Sequence, residues 1–194
     1  MAKKKNTTSI IVKIILMVLA AFMVVSIFTD VVTVKYNKDN AVGSLIGAAT
    51  GDTHISGQDV FETMFEGHEA SKEDAQDKKA DKALFKTFAR ANDGEHKFIC
   101  VMLEICFVVA VIAAIAGLVL TLLSLLGINL GLLNKIVALV FMIASVLTFI
   151  FALIVGNKMV DGSKIANGMA GIGAWLALIG GAGYGITYLA TCNK

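Results

Sequence analysis

Four long apolar runs separate the polar parts of this chain. The runs cover residues 9–29, 98–126, 136–155 and 169–190. Each run has the roughly 20 residues that a helix needs to cross about 30 Å of hydrocarbon. The runs are continuously apolar rather than alternating, and an open strand would leave backbone groups unpaired in lipid. We therefore predict an all-α integral membrane protein, a bundle of four transmembrane helices.

The polar segments between the runs predict how the chain is oriented. Basic residues mark the cytoplasmic side of a membrane protein. One side carries no acid and six lysines, namely Lys3, Lys4, Lys5, Lys13, Lys135 and Lys194. This places residues 1–8, 127–135 and 191–194 in the cytoplasm and residues 30–97 and 156–168 outside, with the plasma membrane as the expected location. Trp175 in the outer half of the fourth run, and Tyr184 and Tyr188 in its inner half, are placed as aromatic belts would be.

A cleaved signal peptide is the alternative for the first run. Residues 1–8 form a basic leader, and Ala20 ends a weak cleavage site. The apolar run continues through Phe28, however, and a signal core is only about 7–15 residues long. We therefore expect the first run to be retained as a span.

Composition narrows the class of protein further. Apolar residues make up 57% of the 194 residues and charged residues 16%, and the formal net charge is only +2. Such a balance excludes a disordered chain and a nucleic-acid-binding domain. The three cysteines are Cys100, Cys106 and Cys192, so no disulfide framework holds residues 30–97. We expect these thiols to be packing groups.

The long polar segment, residues 30–97, predicts a small and mainly helical extracytoplasmic domain between the first two spans. Alternation over residues 31–36 suggests a short strand. A helix begins near Ser56–Asp59 and carries an apolar face of Val60, Phe61, Met64, Phe65 and His68. A second helix over 71–91 carries a stripe of Ala80, Leu84, Phe88 and Ala91, flanked by Phe85.

Two interpretations of these helices remain open. In the first, Phe61, Phe65, Leu84 and Phe88 are buried within the domain. In the second, part of the same stripe is a docking surface for another protein, by insertion of an apolar helix face into a groove.

Glu104 is the one acidic residue within the predicted spans. It lies seven residues after Lys97, about 10 Å below the outer start of the helix. A carboxylate at that depth is costly unless it is neutral, paired or hydrated, and it marks a potential functional site. Lys13 lies in the opposite leaflet, so the available partners are Lys158, Lys164 or a water-filled vestibule. The other interpretation is that Glu104 is protonated or reaches the interface and hydrogen-bonds within the bundle.

A strip of small residues recurs every four positions in the fourth run, at Gly173, Ala177, Gly181 and Gly185. Small-xxx-small spacing allows close approach of helices in lipid. The second run has a similar strip at Ala110, Ala114 and Gly117. We expect the two strips to pack against each other; the alternative is that the fourth run forms an interface between protomers.

No motif in the chain indicates catalysis. His68-Glu69 lacks the second histidine of a zinc-protease motif, because Lys72 stands in that position. The glycines at 171 and 173 lack the third glycine and the preceding soluble strand of a dinucleotide site. The spacing of His54, His68 and His96 matches no metal signature. We therefore predict no catalytic residue, no metal and no cofactor.

The layout of four spans, cytoplasmic ends and a long first outer segment resembles the claudin type of topology. The resemblance covers the span layout alone. Claudin outer segments carry a tryptophan-rich stretch and a cysteine pair, whereas residues 35–97 contain neither Trp nor Cys. No residue role is therefore transferred.

The sequence favours a non-enzymatic tetraspan protein that acts as a structural or accessory subunit. Its partners would be the lipid bilayer and either further copies of itself or other membrane proteins, with no nucleic acid. The alternative function is a small oligomeric channel or transporter in which Glu104 lines the path.

Overall fold

The computed structural model describes residues 2–68, 80–90, 94–128, 130–160 and 166–192. Within these residues the chain is mostly helical and includes one small sheet. The helices are α1 (Ala2–Ser26), α2 (Ala41–Thr50), α3 (Gly57–Glu66), α4 (Ala80–Arg90), α5 (Gly94–Leu125), α6 (Gly131–Met159) and α7 (Ile172–Cys192). The strands are β1 (Asp30–Tyr36), β2 (Thr53–Ser56) and β3 (Ala166–Ala170).

Three helices are long and apolar enough to cross a membrane. Among the described residues they are Glu95–Leu125 of α5, Gly131–Met159 of α6 and Ile172–Thr191 of α7. These correspond to the second, third and fourth predicted spans, so the prediction of a helical protein with apolar spanning helices is confirmed for these three. The apolar part of α1, Ile10–Ser26, is shorter. It packs along α5 and α7 as the fourth helix of the same bundle.

The four long helices form a closed ring. Helix α5 contacts α1 and α6, and α7 contacts α1 and α6, so that α5 and α7 lie on opposite corners. The centre is filled by large side chains that are almost inaccessible to solvent, among them Leu16, Leu103, Phe107, Phe141 and Tyr184. The surface around the ring is rich in exposed Ile, Leu and Val, as lipid-facing helices require.

A three-stranded antiparallel sheet lies at one end of the bundle, with the order β2-β1-β3. Val32 of β1 pairs with Ile55 of β2 on one side and with Ala170 of β3 on the other. The predicted strand over 31–36 is thus confirmed as part of β1. The all-α prediction is incomplete, because it omits this sheet, which joins the segment after α1 to the segment before α7.

Strand β3 explains why the predicted start of the fourth span is wrong. Met169 and Ala170 belong to β3, and the helix begins only at Ile172. The backbone of Gly168 lies so close to Gly156 of α6 that a Cβ atom at residue 168 would overlap the Gly156 carbonyl. The strand is held by its antiparallel pairing with β1, and Gly168 allows it to lie against α6. The sequence of 166–170 carries no signal for it.

Helices α3 and α4 pack on α5 near its first turns and form a layer that we call the α3–α4 cap. Helix α3 begins with a capping box: the Ser56 side chain accepts from the Asp59 amide, and the Asp59 side chain accepts from the Ser56 amide. The predicted helix start is confirmed. Of the predicted second helix, residues 71–79 and 91 lie outside the described residues, and 80–90 is helical.

The burial of Phe61, Phe65, Leu84 and Phe88 differs from one residue to the next, so the interpretation in which all four are buried is wrong. Val60, Phe85 and Ala89 are fully buried in the core, and the half-buried Phe61 and Phe88 pack against it. Phe65 is 68% exposed and Leu84 is 46% exposed. In α4 the stripe residue Phe88 packs against the core, whereas Leu84 is exposed and Phe85, predicted only as a flanking residue, is buried in its place.

Candidate functional site

A network of ion pairs joins the two helices of the α3–α4 cap. The Lys82 ammonium lies 2.6 Å from a carboxylate oxygen of Glu62 and 2.8 Å from one of Glu66. Lys86 lies 3.0 Å from the same Glu66 oxygen. The Lys82 side chain is only 1% exposed, whereas both carboxylates reach solvent. The network therefore fixes α4 against α3 through two buried lysines.

The pKa values of the network follow from these contacts. A hydrogen bond from Lys82 is the main reason that the pKa of Glu62 is lowered, with Gln58 adding to it. Hydrogen bonds from Lys82 and then Lys86 lower the pKa of Glu66. Burial alone would lower the pKa of Lys82, but the hydrogen bonds and attraction of the two glutamates together outweigh it and raise that pKa. All three groups are thus held in their charged forms.

A second polar contact fastens the cap to α5. Helix α3 ends at Glu66, and Gly67 has a φ of 84°, in the left-handed region that favours glycine. The next residue, His68, places its Nε2 atom 2.9 Å from Oε1 of Glu104. The Glu104 side chain is 3% exposed and that of His68 is 20% exposed. A buried carboxylate on the predicted second span therefore has a histidine partner from the cap.

The observed partner of Glu104, His68, is not among the partners that the sequence predicted. Lys158 lies 3.2 Å from Glu95 instead, and Lys164 lies outside the described residues. Glu104 is not among the described residues that line the cavity beside His68. The sequence singled out both His68 and Glu104, but 36 residues separate them, and nothing in the pattern linked one to the other.

Two other polar residues singled out in the sequence, Lys13 and His54, each contact a described residue from another element. Lys13 donates a hydrogen bond of 2.7 Å to the carbonyl of Ser124 at the end of α5, where the helix dipole favours a cation. His54 pairs with Asp30 across β2 and β1 at 2.8 Å. The part of the chain that the structure describes contains no group of three or more His, Cys, Asp or Glu side chains able to hold a metal ion.

The predicted partner surface separates into exposed and buried members. Phe65 and Leu84 are exposed, and we call this pair the cap apolar surface. Phe61 is half-buried, and its ring centroid lies 5.0 Å from that of Phe65. Phe88 is also half-buried and stacks on His96 at 4.7 Å. Two rigidly supported apolar side chains are thus presented to solvent on neighbouring helices.

The small-residue strip of α7 packs against α6 and α1, so the expectation that it meets the strip of the second span is wrong. Cβ atoms at Gly181 and Gly185 would meet Ser145 and Met142 of α6. A Cβ at Gly180 would meet Leu19 of α1. Ala177 is fully buried, and Gly173 lies against Thr29 and Asp30. The reason is the ring order of the helices, which puts α5 diagonally opposite α7.

The small residues of α5, the second predicted span, face the core of the bundle. Ala110 and Ala114 are fully buried, and Gly117 leaves room for the ring and hydroxyl of Tyr184. The Tyr184 hydroxyl donates to the Gly117 carbonyl at 3.2 Å.

Tyr184 and Tyr188 are 1% and 7% exposed, so their expected role in an aromatic belt is wrong, whereas Trp175 is 51% exposed. Cys100 and Cys106 are buried free thiols, as predicted.

Comparison with known proteins found no relative of this chain. No family model, no curated protein and no solved structure matches this chain.

Proposed function

We propose that this chain is a non-enzymatic, four-span membrane protein that serves as a structural or accessory subunit, with the α3–α4 cap as its contact surface for another protein. The observation that carries the proposal is the cap apolar surface, because Phe65 is 68% exposed and Leu84 is 46% exposed. Aromatic side chains such as Phe are enriched at protein interfaces, and burial of an exposed Leu on binding removes further apolar surface from water. In the membrane, α1 would be the fourth span beside α5, α6 and α7.

The way the cap is held supports this role. Ion pairs of 2.6–3.0 Å join α3 to α4, and the His68–Glu104 contact joins the cap to α5. A surface whose backbone is fixed before binding loses less conformational entropy when a partner docks. The cap therefore offers its exposed side chains in a defined arrangement.

The proposed orientation puts both termini in the cytoplasm and the cap outside the plasma membrane. It rests on the distribution of lysines, which are accompanied by no acid on the terminal side. In intact cells, with the three native cysteines replaced by alanine, a membrane-impermeant maleimide should label Lys38→Cys. It should label Lys135→Cys only after permeabilisation. The reverse pattern would contradict the orientation.

The alternative of an oligomeric channel lined by Glu104 requires that carboxylate to face water. Its side chain is 3% exposed and bonded to His68. No contact in the described chain favours an ion path through Glu104, so we do not adopt the channel as a second function.

The docking surface is tested by charge substitution. Phe65→Asp combined with Leu84→Asp places two carboxylates where apolar contacts are proposed, and both sites are exposed enough to tolerate them. Leu45→Asp on α2 is the control, because Leu45 is 74% exposed and lies on a different helix. We expect chains that co-purify with the wild type to be lost from the double variant and kept by the control. Identical partners in all three preparations would refute docking at the cap.

A further inference from the structure

A cavity of about 270 Å³ opens where the α3–α4 cap meets the first turn of α5. Its described lining consists of His68, Ala89, Arg90 and Lys97. Three of these four side chains are basic, and each comes from a different part of the chain. His68 lies just beyond the end of α3, Arg90 is the last residue of α4, and Lys97 is in the first turn of α5. Folding of the cap onto α5 therefore gathers basic groups that the sequence keeps apart.

The two permanent cations of the cavity are not neutralised by the described residues. Arg90 and Lys97 form no ion pair with any residue in 2–68, 80–90, 94–128, 130–160 or 166–192. Lys82, Lys86 and Lys158, by contrast, all contact a glutamate. Because Lys97 also lies in the first turn of α5, the partial positive charge of that helix terminus adds to the potential of the cavity.

Glu104 leaves this positive charge in place. It is on the same face of α5 as Lys97, two turns further along the helix, and its Oε1 atom is engaged by His68 Nε2 at 2.9 Å. The carboxylate is 3% exposed, so it supports the histidine from behind rather than entering the cavity. His68 is thereby fixed as a wall of the cavity beside the two cations.

We propose that this cavity binds the phosphate group of an anionic ligand. A guanidinium offers planar, paired donors that match phosphate oxygens, and an ammonium adds a point charge. The volume falls just below the range of about 300–1,000 Å³ for pockets that enclose whole drug-sized ligands. It suits a single head group or a free phosphate ion.

A phospholipid is one source of that phosphate, and this source rests on the proposed membrane orientation. Lys97 stands at the start of the span, at the level of the lipid head groups. Phe98, the next residue, is 57% exposed, and Ile105 and Ile112 on the same side of α5 are 38% and 61% exposed. An acyl chain could therefore lie along α5 while its phosphate occupies the cavity. Soluble phosphate is the other source.

The test measures binding by the purified full-length protein in detergent micelles, which does not depend on any docked partner. Native mass spectrometry counts adducts of phosphatidylglycerol and of phosphatidylcholine, and calorimetry measures inorganic phosphate. The variant is Arg90→Gln combined with Lys97→Gln; both residues are exposed, so the fold is retained. Lys35→Gln, at an exposed site on β1, removes one positive charge elsewhere.

We expect the double variant to bind its preferred probe at least about tenfold more weakly than the wild type, because charge-assisted hydrogen bonds are lost. The Lys35→Gln control should bind as the wild type does, and Arg90→Lys with Lys97→Arg should retain most of the affinity. Preference for phosphatidylglycerol identifies a lipid, and binding of inorganic phosphate alone identifies a soluble anion. Equal binding by wild type and double variant, or no binding of any probe, would overturn the proposal.

Discussion

His68 Nε2 lies 2.9 Å from Oε1 of Glu104, and this contact ties the second residue after α3 to a buried position in α5. A carboxylate inside an apolar bundle requires such a partner, because an unpaired buried charge costs several kcal/mol. The contact makes the position of the α3–α4 cap and the charge state of the bundle interdependent.

Removal of one partner should therefore be more harmful than removal of both. We expect His68→Ala to lower the free energy of unfolding by about 1–3 kcal/mol, because the buried carboxyl group of Glu104 is left without its hydrogen-bond partner. His68→Ala combined with Glu104→Leu should regain a large part of that loss. Reversible unfolding in mixed micelles of the wild type, His68→Ala, Glu104→Leu and the double variant gives the coupling energy between the two residues. If the two single effects simply add in the double variant, the residues are not energetically coupled.

The ion pairs within the cap should make its stability depend on pH at both extremes. Glu62 and Glu66 have lowered pKa values in the folded protein. Their contribution is complete above the ordinary value of 4.5 and is lost as the pH falls through the lowered values. Lys82 has a raised pKa, so its contribution is complete below 10.5 and is lost as the pH rises through the raised value.

Amide hydrogen exchange in α3 and α4, corrected for the intrinsic effect of pH, measures this dependence. We expect slow exchange at pH values between the lowered pKa values of the two glutamates and the raised pKa of Lys82. Exchange should be faster below and above that interval. Lys82→Met should lose most of the acid-side dependence, because the carboxylates no longer have their main partner, whereas Lys35→Met should behave as the wild type. An unchanged acid limb in Lys82→Met would show that the network does not stabilise the cap.

Close packing of α7 on α6 should make Gly181 intolerant of a methyl group. An added Cβ would overlap the Ser145 side chain and lie 2.8 Å from the Phe141 carbonyl oxygen, which belongs to the backbone of α6. We expect Gly181→Ala to lower stability by about 1–3 kcal/mol through overpacking. Gly183→Ala is the matched control in the same helix, since its Cβ would meet only the flexible end of Leu19 at 3.0 Å. Equal thermal unfolding of the two variants would contradict the packing of α7 on α6.

The sequence predicts those elements whose signal is local. The apolar runs locate α5, α6 and α7 because the length of a span is set by the bilayer and needs no knowledge of neighbours. The start of α3 is visible because Ser56 and Asp59 form a capping box within four residues. β1 is visible because residues 31–36 are rich in β-branched side chains, although burial along the strand does not alternate: residues 31–34 are all buried.

Features set by tertiary packing are not visible in the same way. The short segment Ala166–Ala170 carries no strand signal in its sequence, and it becomes β3 through pairing with β1 and the close approach of Gly168 to Gly156. The partner of the α7 strip depends on the order of helices around the ring, and a small-residue repeat carries no information about that order. The sequence shows Arg90 and Lys97 only as ordinary basic residues near helix ends. They lie beside the same cavity only because the cap packs on α5.

The composition of the purified assembly tests the central claim, that this chain is an accessory subunit, most directly. Native mass spectrometry of the protein extracted from its own membrane into nanodiscs counts its copies and identifies the chains that accompany them. We predict an assembly that contains different chains and that loses them in the Phe65→Asp, Leu84→Asp variant but not in Leu45→Asp. A homo-oligomer of defined number with no other chain, unchanged by the cap substitutions, would contradict the account.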